Sequence, residues 1–240
     1  MADASALELH DGEFWELLLT RVDAELTAPA ALLVIGGAAI GLGHCRAFLT
    51  RDLDTISPMG GELGLAVGKA CRELQTERGL RKLPEVSYSA VCDAPEAYDA
   101  RCSRLLPNPR FLQVSVPERH DLAMMKVARG DERDLEALRT LHKVEPFNFE
   151  TLLERYGEMQ FGGAERKFNF HFCLFVDRLY GERAAELVMA WIETPGNCPG
   201  HVLPAAERRA LAEKIAAVAE IQPEPSLRGP KRGPARGPSL

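Results

Sequence analysis

Long apolar runs are missing from this chain of 240 residues. The best stretch, Ala30 to Leu42, is broken by glycines and falls short of the roughly 18–20 residues a membrane-spanning helix needs, so no membrane partner is expected. A secretory leader is missing too: Met1 to Glu13 carries acids where a basic start and an apolar centre would stand, and a cytoplasmic protein is expected. The six cysteines (Cys45, Cys71, Cys92, Cys102, Cys173, Cys198) show no repeated pair spacing, as for free thiols in a reducing compartment. Cys198-Pro-Gly-His201 has the spacing of half a zinc site but lacks a second pair, so it reads as a loop. An excess of positive charge is also absent. With a net charge of −6, the surface as a whole does not favour nonspecific nucleic-acid binding.

What is present is an ordinary globular composition, 46% hydrophobic and 27% charged, and enough chain to bury a core. Phe14 to Leu26 places Phe14, Trp15, Leu18 and Val22 at helical spacing. Ala31 to Ile35 reads as a buried strand ended by a Gly36-Gly37 turn, followed by a loop or short helix over His44 to Leu49. Thr50 to Ile56 alternates as a second strand, Gly61 to Leu74 reads as a helix, and Val86–Val91 and Phe111–Val116 read as further strands. From Pro117 the pattern turns helical, with segments predicted over Glu118–Ala128, Arg133–His142, Asn148–Tyr156, Asn169–Tyr180, Arg183–Glu193 and Ala205–Ile221. Phe168, Phe170, Phe172 and Phe175 are assigned to the core of that helical part. The repeated Arg-Gly-Pro at Arg228, Arg232 and Arg236 predicts a disordered basic tail, either simply solvated or a nucleic-acid tether.

The residues that carry chemistry are Gly36-Gly37 and, after a gap, Asp52-Leu53-Asp54. Alternate residues of a strand share a face, so Asp52 and Asp54 project together while Leu53 faces the core. Paired carboxylates repel, and a hard cation such as Mg²⁺ relieves them while taking its other ligands from phosphate. Glycine lets a phosphate approach backbone N–H groups where no Cβ intervenes. A Gly-Gly turn is common punctuation and Asp-x-Asp is common at a solvated strand edge, so the weight lies on their order and spacing.

This pattern resembles the Gly-Gly/Ser and Asp-x-Asp motif of the DNA polymerase beta-type nucleotidyltransferase superfamily. His120-Asp-Leu-Ala-Met-Met-Lys126-Val-Ala-Arg129, with Glu132-Arg133-Asp134-Leu-Glu136-Ala-Leu138, is similar to a block of the AbiEii-type toxin nucleotidyltransferases and their bacterial relatives. The resemblance covers about the first 60% of the chain. It implies an α+β fold, a nucleotidyltransferase-type mixed β-sheet with flanking helices followed by a helical C-terminal region. The expected division is a core over 1–130, a helical region over 131–222 and the tail over 223–240. It further implies Asp52 and Asp54 as catalytic metal ligands, Gly36 and Gly37 in the triphosphate pocket, and Lys126, Arg133 and Asp134 at the nucleotide. A surface lysine and a helix-start salt bridge are the plain alternatives for those last three. Gly37 stands where the superfamily commonly has serine. The family's third acid, on a neighbouring strand, has no counterpart within Val86–Val91; Asp93 is taken as catalytic, with Glu85 the other candidate. The implied activity is Mg²⁺-dependent transfer from a nucleoside triphosphate to a hydroxyl, with tRNA a reasonable acceptor and an antitoxin protein a partner if the chain is a toxin. A nucleotide-binding module without catalysis is the competing expectation.

Overall fold

The computed structural model describes residues 8–90, 92–161, 165–201 and 203–219. The tail expected over 223–240 lies outside them.

Helix α1 (Gly12–Glu25) starts where the Asp11 side chain accepts the Phe14 N–H at 2.9 Å, an N-cap, and it buries Trp15, Leu18, Leu19 and Val22. Asp23 of α1 is buried as well. Burial alone would raise its carboxyl, but the N–H groups of Arg110, Phe111 and Leu112 donate to it at 2.8, 2.7 and 2.6 Å and hold it below its ordinary range. That clamp fixes α1 to the chain entering the strand at Leu112.

Strand β1 (Ala30–Ile35), helix α2 (Gly36–Gly43), strand β2 (Asp52–Thr55), helix α3 (Gly61–Arg78) and strand β3 (Glu85–Tyr88) follow. Next come the short strands β4 (Ala94–Pro95) and β5 (Ser103–Leu105), then β6 (Leu112–Val116). The main sheet has the order β3-β2-β1-β6-β5. β1 runs parallel to β6 and β2 parallel to β3, whereas β1–β2 and β5–β6 are antiparallel. The fold is therefore α+β, with a mixed sheet and flanking helices as expected. A helical second half follows: α4 (Arg119–Arg129), α5 (Glu132–Val144), α6 (Phe149–Gly157), the strand β7 (Met159–Gln160) that pairs with β4, then α7 (Glu165–Tyr180), α8 (Glu182–Ile192) and α9 (Ala205–Ala219). One hydrophobic cluster joins Trp15 and Leu53 to Phe172 and Val188, and α4 packs against α5, α6 and α7.

Three local expectations change. Gly36-Gly37 is not a simple turn but the first turn of α2, a helix with four glycines in eight residues. Their low helix propensity is overridden by burial of Ala38, Ala39 and Ile40, and α1 approaches so closely that a Cβ on Gly12 would lie 2.1 Å from the Gly41 carbonyl oxygen. β4, β5 and β7 are additional strands of two or three residues each, too short to show the alternation that would reveal them, and β5 is exposed at the sheet edge. Phe170 leaves the predicted aromatic core: in α7, Phe168, Phe172 and Phe175 share a buried stripe, and Phe170 falls on the other side, 61% exposed.

The corner between α4 and α5 depends on Gly130, at φ 71°. A Cβ there would lie 1.9 Å from His171 Nδ1, which donates to the Val127 carbonyl at 3.1 Å. Gly130→Ala should therefore cost about 2–4 kcal/mol of stability, from backbone strain plus the collision. Chemical denaturation reads this directly, and a midpoint equal to that of the wild type would contradict it.

Candidate active site

The β1–β2 register sets Asp54 opposite Ile35, immediately before the first residue of α2. Leu53 and Thr55 point into the core, and Thr55 donates its hydroxyl to the Leu33 carbonyl at 2.8 Å. Asp52 and Asp54 lie on the opposite face, both half-buried and both lining one cleft. Gly36, at φ 69°, lets the Asp54 carboxylate sit against the α2 start; a Cβ on it would be 2.7 Å from Asp54 Oδ2. A Cβ on Gly37 would lie 2.5 Å from Thr50 Oγ1, so the chain is drawn tight at both glycines. Among the described residues the first turn of α2 carries no side-chain cap, so no side chain satisfies its first-turn N–H groups.

The two acids differ in their surroundings. Asp52 is engaged by Arg51, 3.2 Å from Oδ2, and by the Thr50 hydroxyl, 3.3 Å from Oδ1. Among the described residues the Asp54 carboxylate accepts no hydrogen bond. Burial first, and the Asp52 charge second, push its carboxyl above the usual range, against the opposing pull of Arg129 and Lys126.

Those cations come from α4 and are held by Asp134 of α5. Lys126 Nζ donates to Asp134 Oδ1 at 2.8 Å, and Arg129 donates through its Nε and a terminal nitrogen at 2.6 Å each. Lys126 is 5% exposed and Asp134 1%. Burial pushes the Lys126 ammonium down, against the raising effect of Asp134. For Asp134, burial is outweighed by the two cations, which keep its carboxyl ionised below its ordinary value. Arg129 is half-exposed and charged, so the cluster presents a net positive end to the two acids.

The cleft has two lobes. The larger, about 490 Å³, is lined by Gly37, Asp52, Asp54, Lys126, Arg133 and Asp134, so it gathers most of the residues singled out from the sequence. The smaller, about 340 Å³, is lined by Gly36, Asp54, Ser89, Asp93, Lys126 and Lys167. Asp54, Lys126 and Arg129 border both. Asp93 thus lines the smaller lobe, beyond the end of β3, while Glu85 sits opposite Asp52 on β3 and is exposed. Arg129 is the site residue the sequence reading missed. Its signal was available: Lys126 and Arg129 are three apart, hence on one helix face, and an acid follows five residues later. His44 turns away to the Pro117 carbonyl, and among the described residues no group of three or more His, Cys, Asp or Glu side chains is placed to hold a metal.

Residues 16–175 match a family model described as a nucleotidyltransferase of unknown function (DUF6036), and the chain belongs to that family. The matched span contains both acids, both glycines and the α4–α5 cluster. No curated protein and no solved structure matches the chain. Among the described residues, no helix is long and apolar enough to cross a membrane.

Two substitutions separate the roles of the acids. Because folding raises the Asp54 pKa above its ordinary 3.8, the folded state binds that proton more tightly than the unfolded chain, and stability falls as pH rises through the interval above 3.8. Asp54→Asn should therefore raise the melting temperature at pH 7 by about 1–3 °C, with the gain fading below about pH 4. A lower melting temperature at pH 7 would contradict this. Asp134→Asn should do the reverse and cost about 3–5 kcal/mol, since it leaves Lys126 buried without its counter-ion. Denaturation showing less than about 1 kcal/mol of loss would mean the pair is not what holds the corner.

Proposed function

We propose that this protein transfers a nucleotidyl group from a nucleoside triphosphate to an acceptor hydroxyl, with Mg²⁺ held by Asp52 and Asp54. The observation that carries the reading is the placement of two carboxylates on one strand face, between an uncapped helix start and the Lys126–Arg129 cations. The donor chemistry fits the ion. Both ligands are hard oxygens, the Asp54 carboxylate is without a hydrogen bond among the described residues, and burial first and the Asp52 charge second raise its pKa, a cost that a bound cation would offset. Mg²⁺ is commonly bound by one or two carboxylates with phosphate and water completing its shell, which suits a site with two acids. When bound, it would neutralise phosphate charge and polarise the α-phosphoryl group.

The chain's own groups supply the rest. First-turn N–H groups of α2 and the ammonium and guanidinium of Lys126 and Arg129 bind triphosphate oxygens, with Arg133 at the rim of the same lobe. The acceptor enters from the smaller lobe, since Asp54 borders both. Its hydroxyl oxygen attacks the α-phosphorus, the bond from that phosphorus to the bridging oxygen breaks, and pyrophosphate leaves against the cations. The hydroxyl proton passes to a carboxylate, for which Asp93 is the candidate by its place in the smaller lobe. The resemblance of the block from His120 to Leu138 to AbiEii-type toxins makes RNA, tRNA first, the acceptor to try and an antitoxin the protein partner to seek.

A second reading is favoured by one observation: Ser87 stands opposite Asp54 on β3, and among the described residues no third acid completes a metal-holding group. On that reading the protein binds nucleotide without turning it over. Incubation with each labelled triphosphate, Mg²⁺ and total bacterial RNA separates the two. Transfer of label, reduced by roughly 10³-fold or more in Asp52→Asn/Asp54→Asn, is expected, and Arg129→Ala should raise the nucleotide KM about tenfold. Full transfer by the double variant would refute the assignment, and Mg²⁺-dependent binding without transfer would favour the second reading.

A further inference from the structure

The larger lobe has an apolar wall that phosphate chemistry does not use. Leu9, Phe48 and Leu49 line it together with the charged residues. Leu9 is 52% exposed and Leu49 53%, side chains that ordinary folding would prefer to cover. The wall is held in place: His10 and Thr50 exchange backbone hydrogen bonds of 2.7 and 2.9 Å, bringing the segments of Leu9 and Leu49 together, and Phe48 N–H donates to the Cys45 carbonyl at 2.8 Å. The Phe48 ring reaches the glycine start of α2, with Cε1 3.5 Å from where a Gly37 Cβ would stand.

Phe48 differs from the other phenylalanines. Of the ten in the chain, nine have an aromatic, histidine or arginine partner: Phe14 stacks on His10, Phe111 lies under Arg110, Phe170 meets His171, and the remainder pack ring against ring around Tyr156 and Tyr180 or with Arg119 and His142. Among the described residues the Phe48 ring has no such partner, although it borders a cleft rich in charge. Its edge packs on the core, and it remains half-buried.

We infer that Phe48, flanked by Leu9 and Leu49, is the platform on which the nucleobase of the triphosphate stacks. This rests on the nucleotidyltransferase reading and adds to it the part of the substrate that is not phosphate. A nucleotide joins a polyanion to a flat, weakly polar ring, and one lobe is lined by both kinds of partner: the cations Lys126, Arg129 and Arg133 for the polyanion, and an unpaired aromatic ring with aliphatic neighbours, beside the α2 start, for the base. A volume of about 490 Å³ lies within the range of pockets that hold small-molecule cofactors, roughly 300–1,000 Å³. Because every base has a π-face, the platform itself accepts any of them.

The test compares two probes on the full chain with Mg²⁺: a nucleoside triphosphate blocked against α–β cleavage, and inorganic tripolyphosphate, which has the charge and no base. Phe48→Ala should weaken the nucleotide roughly ten- to hundredfold and leave tripolyphosphate within about twofold, and Phe48→Trp should restore nucleotide affinity. Equal loss for both probes would make Phe48 a packing residue and overturn the inference. So would an unchanged nucleotide affinity in Phe48→Ala. If the wild type binds tripolyphosphate but gains nothing from the base, the platform fails while the phosphate site stands. If it binds neither probe, the nucleotidyltransferase reading itself falls and the platform with it.

Discussion

One almost fully buried carboxylate, that of Asp134, holds the α4–α5 corner together. It satisfies Lys126 and Arg129 at once, through three hydrogen bonds, with a single negative charge. A buried ammonium without that partner would cost several kcal/mol, so the corner cannot relax without losing the lysine. Gly130 and His171 close the same corner from the α7 side with no room for an added Cβ. The cations therefore face β2 as a fixed feature of the fold rather than as mobile surface chains.

Three of the aspartates that line the cleft have three environments, and the contrast explains how one residue type serves different ends. Asp134 is fully partnered and kept ionised. Asp52 is partly engaged by Arg51 and Thr50. Asp54 borders both lobes, and its charge is opposed by burial and by its neighbour. An acid left in that condition lowers stability, and sites that bind ligands are where such a cost is tolerated. The positive end of the Asp134 cluster and the start of α2 lie on the same cleft, so an anion and a cation are both invited there.

Much of this was legible because it rests on short-range periodicity. The two-residue spacing of Asp52 and Asp54 fixes their shared face once the segment is a strand, and Leu53 and Thr55 inside confirm the alternation. The helical second half followed from the change of pattern at Pro117, whereas the mixed sheet came from the resemblance to the nucleotidyltransferase superfamily. Helix α2 was hidden because four glycines argue against a helix, and only its burial between α1 and the sheet makes one. β5 lacks a hydrophobic face to reveal it. Phe170 went astray because spacings of two were mixed with spacings of four. Arg129 was within the block already singled out, and its place on the Lys126 face of the helix was readable from their spacing of three; that both side chains close on Asp134 is set by how α4 and α5 meet. The standing of Phe48 as an unpaired ring is likewise a fact of tertiary structure.

The central claim is that Asp52 and Asp54 form one cation site completed by a triphosphate. Calorimetric titration of Mg²⁺ into the protein with a cleavage-resistant nucleoside triphosphate, in the wild type and in each single asparagine variant, tests it most directly. The account predicts Mg²⁺ uptake that requires the nucleotide and is lost when either acid is replaced. Uptake of equal affinity in all three proteins would contradict it.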